Sequence, residues 1–272
     1  MAKNKRMDSR FEFLLNNNLV NSKRSQVTIF IIIALIIVTI IALIFLLKVK
    51  NVPRVQVIDE NNPQGAIETC TRDAVEEAIE RISISGADID PDSGVTFNGE
   101  RIVYICYSSE FYKPCTYQRP MLVEHIQKEI TEYATPIISE CFDKIKLKLE
   151  ERYNVTDSSK LSLTTTLYPK HIGIQIKKDF QIKREDRIIG FDNFRVNLIS
   201  PLYDFAEITM IIGNQQAKYC NFDLMGFMIL YPSFDVNETV TGDSDRIYTL
   251  TERSTDQKFN FAIRSCPLPA GY

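Results

Sequence analysis

From Val27 to Leu47 the chain runs 21 residues without a charged side chain, VTIFIIIALIIVTIIALIFLL, and no other feature narrows its possible architectures as much. At about 1.5 Å of rise per helical residue, such a run matches a hydrocarbon thickness of roughly 30 Å. Only Thr28 and Thr39 place hydroxyls in it, and each can bond back to its own preceding turn. The run therefore predicts a single N-terminal transmembrane helix over 26–47, with the lipid bilayer as partner. Charge gives the direction. Residues 1–50 carry eight bases (Lys3, Lys5, Arg6, Arg10, Lys23, Arg24, Lys48, Lys50) against Asp8 and Glu12, a local +6, which leaves 24 bases and 33 acids, −9, for residues 51–272. Six of those bases precede the run, so the positive-inside bias predicts a cytoplasmic N-terminus and an extracellular C-terminal part in the cell membrane. The apolar run is too long for a secretory signal core, and KVKNVPRVQV behind it has no small-x-small cleavage site, so a retained signal-anchor is expected.

All six cysteines, Cys70, Cys106, Cys115, Cys141, Cys220 and Cys266, fall beyond this run. An even number confined to the exported part reads as three disulfides. Zinc is the rival, but no close Cys-x-x-Cys pair exists and His125 and His171 lack ligand spacing with the cysteines. Six cysteines permit about 15 connectivities. Positions along the expected elements favour Cys70 with Cys141, Cys106 with Cys115, and Cys220 with Cys266. Two sequons, at Asn154 and Asn237, agree with the same exterior compartment.

The rest divides into a cytoplasmic basic leader or tail (1–25), a linker (48–61), an α+β exterior domain (62–218) with an antiparallel sheet, and a small C-terminal β unit (219–272). Asn62-Pro63 offers a cap and a first-position proline for a helix through Ile82, whose stripe is Ile67, Cys70, Ala74, Ala78 and Ile82. Asn98-Gly99 marks a two-residue hairpin. From Pro120 to Arg152, Leu122, Ile126, Ile130, Tyr133, Ile137, Cys141, Ile145 and Leu149 recur along one face at helical spacing, and Pro136 is expected to kink this helix. Two such helices lying side by side would bring Cys70 to Cys141. Alternation at Leu161/Leu163, Ile172/Ile174/Ile176, Phe180/Ile182 and Phe194/Val196/Leu198 predicts half-buried strands. Ser200-Pro201 opens a third helix ending near Gly213-Asn214, and strands follow at 227–231, 246–250 and 258–263.

Chemistry is sparse in this pattern. No domain-sized basic surface exists, which excludes nucleic acid as a partner. No serine stands in a nucleophile elbow, and the ten glycines form no phosphate loop. His171 and His125 read as solvated surface. Asp88-Ile-Asp90-Pro-Asp92-Ser-Gly94 begins like a calcium loop, but its glycine comes one residue late and Gly99 stands where a bidentate Glu belongs. The expectation is a non-enzymatic protein with no metal and no cofactor. Tyr104, Tyr107, Phe111, Tyr112 and Tyr117 around the Cys106–Cys115 loop offer either core packing or a contact surface.

One junction is more specific. Lys23-Arg24-Ser25-Gln26-Val27-Thr28-Ile29-Phe30 sets a basic pair, a small residue and Gln ahead of an Ile-rich run, and it resembles the class III signal peptide of archaeal type IV pilin-like proteins over about residues 23–47. The resemblance implies a cut between Ser25 and Gln26, and a pilin-like cell-envelope protein in surface structure or adhesion, with a second copy or other envelope proteins as partners. Phe30 departs from the family, in which the fifth mature residue is commonly acidic. The exterior pattern also loosely resembles anchored proteins of small-genome archaea. The alternative expectation is an unprocessed anchored ectodomain that binds a ligand or partner protein, as a sensor or assembly factor.

Overall fold

The computed structural model describes residues 30–39, 62–157, 159–184 and 187–267. Residues 30–39 are helical, with Phe30 to Val38 exposed, and Thr39 Oγ1 donates to the Ile36 carbonyl at 2.8 Å. The ten described residues account for about 15 Å of helical rise. No helix among the described residues is long and apolar enough to cross a membrane, and this overturns the expected single transmembrane helix. The leader 1–25, the Ser25-Gln26 junction and the linker 48–61 lie outside the described residues.

Helix α1 (Pro63–Ser85) starts where the sequence places it. Asn62 Oδ1 accepts the Gly65 N–H at 2.9 Å, and Pro63, which has no N–H to satisfy, takes the first position. The expected stripe is buried, joined by Thr71 and Val75. The helix stops at Gly86, in the left-handed region with φ 86°, whose N–H donates to the Ile82 carbonyl at 2.9 Å. Any Cβ there would run into the backbone carbonyl of Asn260, so glycine lets the helix end butt against a strand.

Helix α2 (Leu122–Glu150) continues through Pro136. Its buried line follows expectation at Leu122, Ile126, Ile130, Ile145 and Leu149, but between them passes through Ala134, Ile138 and Phe142 instead of Tyr133, Ile137 and Cys141. The reason is that α2 is covered on two sides. Cys141 and Tyr133 meet α1, through Cys70 and through the Arg81 guanidinium 5.1 Å from the Tyr133 ring. Phe142 meets the sheet, 5.4 Å from Phe194 and 6.1 Å from Phe180 between ring centroids. Helix α3 (Leu202–Tyr219) passes beyond Gly213, which lies under the Tyr117 ring, and ends at Cys220. Residues 227–231 are not a strand. They fall in and just after helix α4 (Leu224–Leu230), capped by Asp223 Oδ1 on the Gly226 N–H at 3.0 Å.

Strands β1 (Val95–Phe97) and β2 (Glu100–Ile102) form the expected hairpin, with Asn98 and Gly99 both at positive φ. A five-stranded sheet has the order β4-β3-β11-β10-β9, from β3 (Tyr104–Tyr107), β4 (Thr116–Tyr117), β9 (Phe234–Val240), β10 (Arg246–Glu252) and β11 (Lys258–Arg264). Two expectations change here. The sheet is not wholly antiparallel, because β3 and β11 pair in parallel. Nor do the last strands make a separate C-terminal unit, since they bury apolar side chains on both faces, Ile247 and Ala262 with Ile102 on one and Tyr248, Phe259 and Phe261 in the main core on the other.

The second sheet is built on β7 (His171–Arg184). Strands β6 (Ser162–Tyr168) and β5 (Asn154–Asp157) pair end to end along one flank of it, and β8 (Arg187–Ile199) pairs along the other. A bulge between Lys177 and Phe180 turns Lys178 inward, where Nζ lies 3.0 Å from Asp157 Oδ1. One apolar cluster joins both sheets through α1, α2 and α3.

The six cysteines pair as expected, with Cα–Cα distances of 6.6 Å for Cys70–Cys141, 5.3 Å for Cys106–Cys115 and 5.7 Å for Cys220–Cys266. Their sequence separations are 71, 9 and 46 residues. Loop-closure entropy therefore ranks them. Replacing both cysteines of a pair by Ala is expected to cost about 4.4 kcal/mol for Cys70–Cys141, about 4 for Cys220–Cys266 and about 2.6 for Cys106–Cys115. Urea midpoints of the three double variants should fall in that order.

Candidate functional site

The C-terminal end of α1 is fixed from two directions. Ser85 Oγ donates to the Asp88 carbonyl, and Asn260 Nδ2 donates to the Ile84 carbonyl at 3.3 Å. Beyond Gly86 the chain turns Asp88 inward, toward the start of α2. Arg119 grips its carboxylate with two donors, Nη2 to Oδ2 at 2.8 Å and Nε to Oδ1 at 3.3 Å, and His125 Nε2 lies 2.6 Å from Oδ1. Glu129 Oε2 accepts the Ile89 N–H at 3.0 Å. Burial pushes the Asp88 carboxyl up, but the hydrogen bonds from His125 and Arg119 and the guanidinium charge outweigh it and hold the group below the usual carboxylate range.

The sequence pointed to Asp88 and His125 separately, and the structure joins them. His125 is therefore not the solvated surface residue expected. Its imidazole is partly buried against a carboxylate that Arg119 already holds, an arrangement that clamps two helices together. Asp88 is committed to that clamp, and Arg101 Nη1 occupies the carbonyls of Pro91 and Asp92 at 3.4 and 3.3 Å. Among the described residues no group of three or more His, Cys, Asp or Glu is placed to hold a metal ion. His171 is exposed and stacks on Tyr168 at 4.8 Å.

Alongside the clamped helix lies a groove of about 890 Å³. Its apolar part is Ile79 and Ile84 from α1 with Leu198 and Ile199 from the end of β8. Arg72, Glu76 and Glu80 rise from the helix side, and Gln257, Lys258 and Asn260 close it from the turn into β11. The size falls within the roughly 300–1,000 Å³ of ligand sites, and the groove joins an apolar strip to a polar and charged rim. Sequence reading missed this groove. Positions 72, 76, 80 and 83 do form one face of α1, but nothing in the chain announces that residues 197–200 and 257–260 come beside them.

No family model, no curated protein and no solved structure matches this chain.

Asn154 and Asn237 are exposed, on the outer strands β5 and β9. Of the aromatic set, Tyr117 is tied by its hydroxyl to the Met210 carbonyl at 2.8 Å, whereas Tyr107, Phe111 and Tyr112 are exposed beside the Cys106–Cys115 pair.

The clamp has a measurable consequence. Because the Asp88 carboxyl is held below its unfolded value, its contribution is present above about pH 4 and is lost as pH falls through the lower folded value. Asp88→Asn should lower stability by about 1–3 kcal/mol near neutrality. Denaturation between pH 2.5 and 6 should show the gap from the parent closing on the acid side.

Proposed function

We propose that this is a non-enzymatic cell-envelope protein of pilin-like character, working outside the cell in surface structure or adhesion. The observation that carries the reading is the pairing of all six cysteines within one folded core, since disulfides persist where the compartment is oxidising. The Lys23-Arg24-Ser25-Gln26 junction supports it by its resemblance to the leader of pilin-like proteins. The site chemistry is consistent with binding: the one imidazole–carboxylate contact among the described residues serves to hold α1 against α2, and the groove offers apolar surface with a charged rim.

The groove favours a second reading for the same exterior domain, an unprocessed ectodomain that takes a partner protein or ligand. The two differ at the N-terminus. Intact mass and N-terminal sequence of the protein from its native source, with and without reduction, test both. The first reading expects a start at Gln26 and a gain of about six protons on reduction. A start at Met1 or Ala2 moves the choice to the second, and six free thiols in the native protein overturn the exterior location under either.

A further inference from the structure

We infer that the groove beside α1 is a strand-addition site, which takes an extended peptide segment along the free edge of β8 and prefers basic residues alternating with apolar ones. The inference deepens the reading of the protein as a binding protein by naming the partner's chemistry.

The backbone carries the argument. Among the described residues β8 pairs only with β7, so its other edge has no neighbouring strand. The Ser200 N–H donates to the Lys170 carbonyl at 3.1 Å, across the register that sets Ile199 opposite His171. In an antiparallel ladder the direction alternates, so Ser200 and Leu198 address β7 while Asn197 and Ile199 turn their N–H and C=O to the open edge. Asn197 and Ile199 are two of the residues that line the groove. A row of unpaired amides and carbonyls is a template for another strand. An extended peptide laid there would gain main-chain hydrogen bonds on one side and the face of α1 on the other, which is how strand addition recognises its ligands.

The side chains set the preference. Alternate residues of an added strand point to opposite faces, so every second one would meet Ile79, Ile84 and Leu198. The others would meet the rim, where Glu76 and Glu80 lie one helical turn apart with no ion-pair partner among the described residues. Two unpaired carboxylates on the helix wall complement lysine or arginine in the ligand. Arg72 and Lys258 also line the groove and would repel basic residues set beside them, so the preference is for lysine or arginine at the positions that meet Glu76 and Glu80.

Titrating the full chain with acetyl-(Val-Lys)4-amide, followed by calorimetry or fluorescence anisotropy, tests the site. Saturable one-to-one binding is expected, weakened at least about tenfold by Glu76→Lys with Glu80→Lys. Asn197→Pro, which removes an outward N–H without touching the β7 ladder, should weaken it as well. The peptide acetyl-(Val-Glu)4-amide and a lysine peptide with proline at alternate positions should both fail. Equal binding of either control, unchanged binding by the Glu76/Glu80 variant, or no binding of the lysine peptide overturns the inference. So does a second copy of the chain filling the groove, seen as concentration-dependent dimers that Asn197→Pro dissolves. The exposed Glu76 and Glu80 positions keep the test valid should the proline variant fold poorly. None of these outcomes depends on where the mature chain begins, so the exterior reading stands or falls separately.

Discussion

Helix α1 is the piece on which the others bear. It touches α2 along one side, β8 of one sheet and β11 of the other, and ends where only a glycine leaves room for the Asn260 carbonyl. Cys70 ties its first half to α2, and the Asp88 carboxylate, between Arg119 and His125, ties its far end to the start of the same helix. A helix tethered at both ends cannot roll. That is why Thr71, Val75 and Ile82 are fully buried while Arg72, Glu76 and Glu80 stay outside, and why the groove has a fixed wall.

Local signals were legible where the chain must satisfy its own backbone. Asn62-Pro63 and Asn98-Gly99 announce a helix start and a turn because the cap and the positive φ values are local requirements. The cysteine pairing was readable because Cys70 and Cys141 sit on stripes that must face one another. What depends on distant partners was not. The line Ala134–Ile138–Phe142 and the line Tyr133–Ile137–Cys141 both have helical spacing, and only the presence of covers on two sides assigns each its neighbour. The segment 227–231 looks like a strand by side chains alone, yet Asp223 caps a short helix there. The apolar run at 27–47 was the most conspicuous signal, yet no helix among the described residues is long and apolar enough to cross a membrane.

The site shows the same division more sharply. Asp88 and His125 stand 37 residues apart, and their meeting depends on how two helices pack. The groove draws on three segments with no motif among them. Its two halves have different physical origins. The wall of α1 is a solvated helix face of ordinary composition, and the edge of β8 is recognised by main-chain groups that any sequence would present. Binding surfaces of that kind leave little trace in residue identity.

The parallel pairing of β3 with β11 has a consequence for how the chain is assembled. Tyr104 and Ala262 lie opposite each other although roughly 160 residues separate them, a contact order that slows folding because loop closure must be met before the ladder forms. Strand β3 leaves synthesis well before its partner, with most of the described elements made between them. In the interval Ile105 and Cys106, both wholly buried in the finished protein, have no strand beside them on that side. A sheet of this topology stays unfinished until that distant partner arrives, so the time it spends incomplete is set by the length of the polypeptide between them.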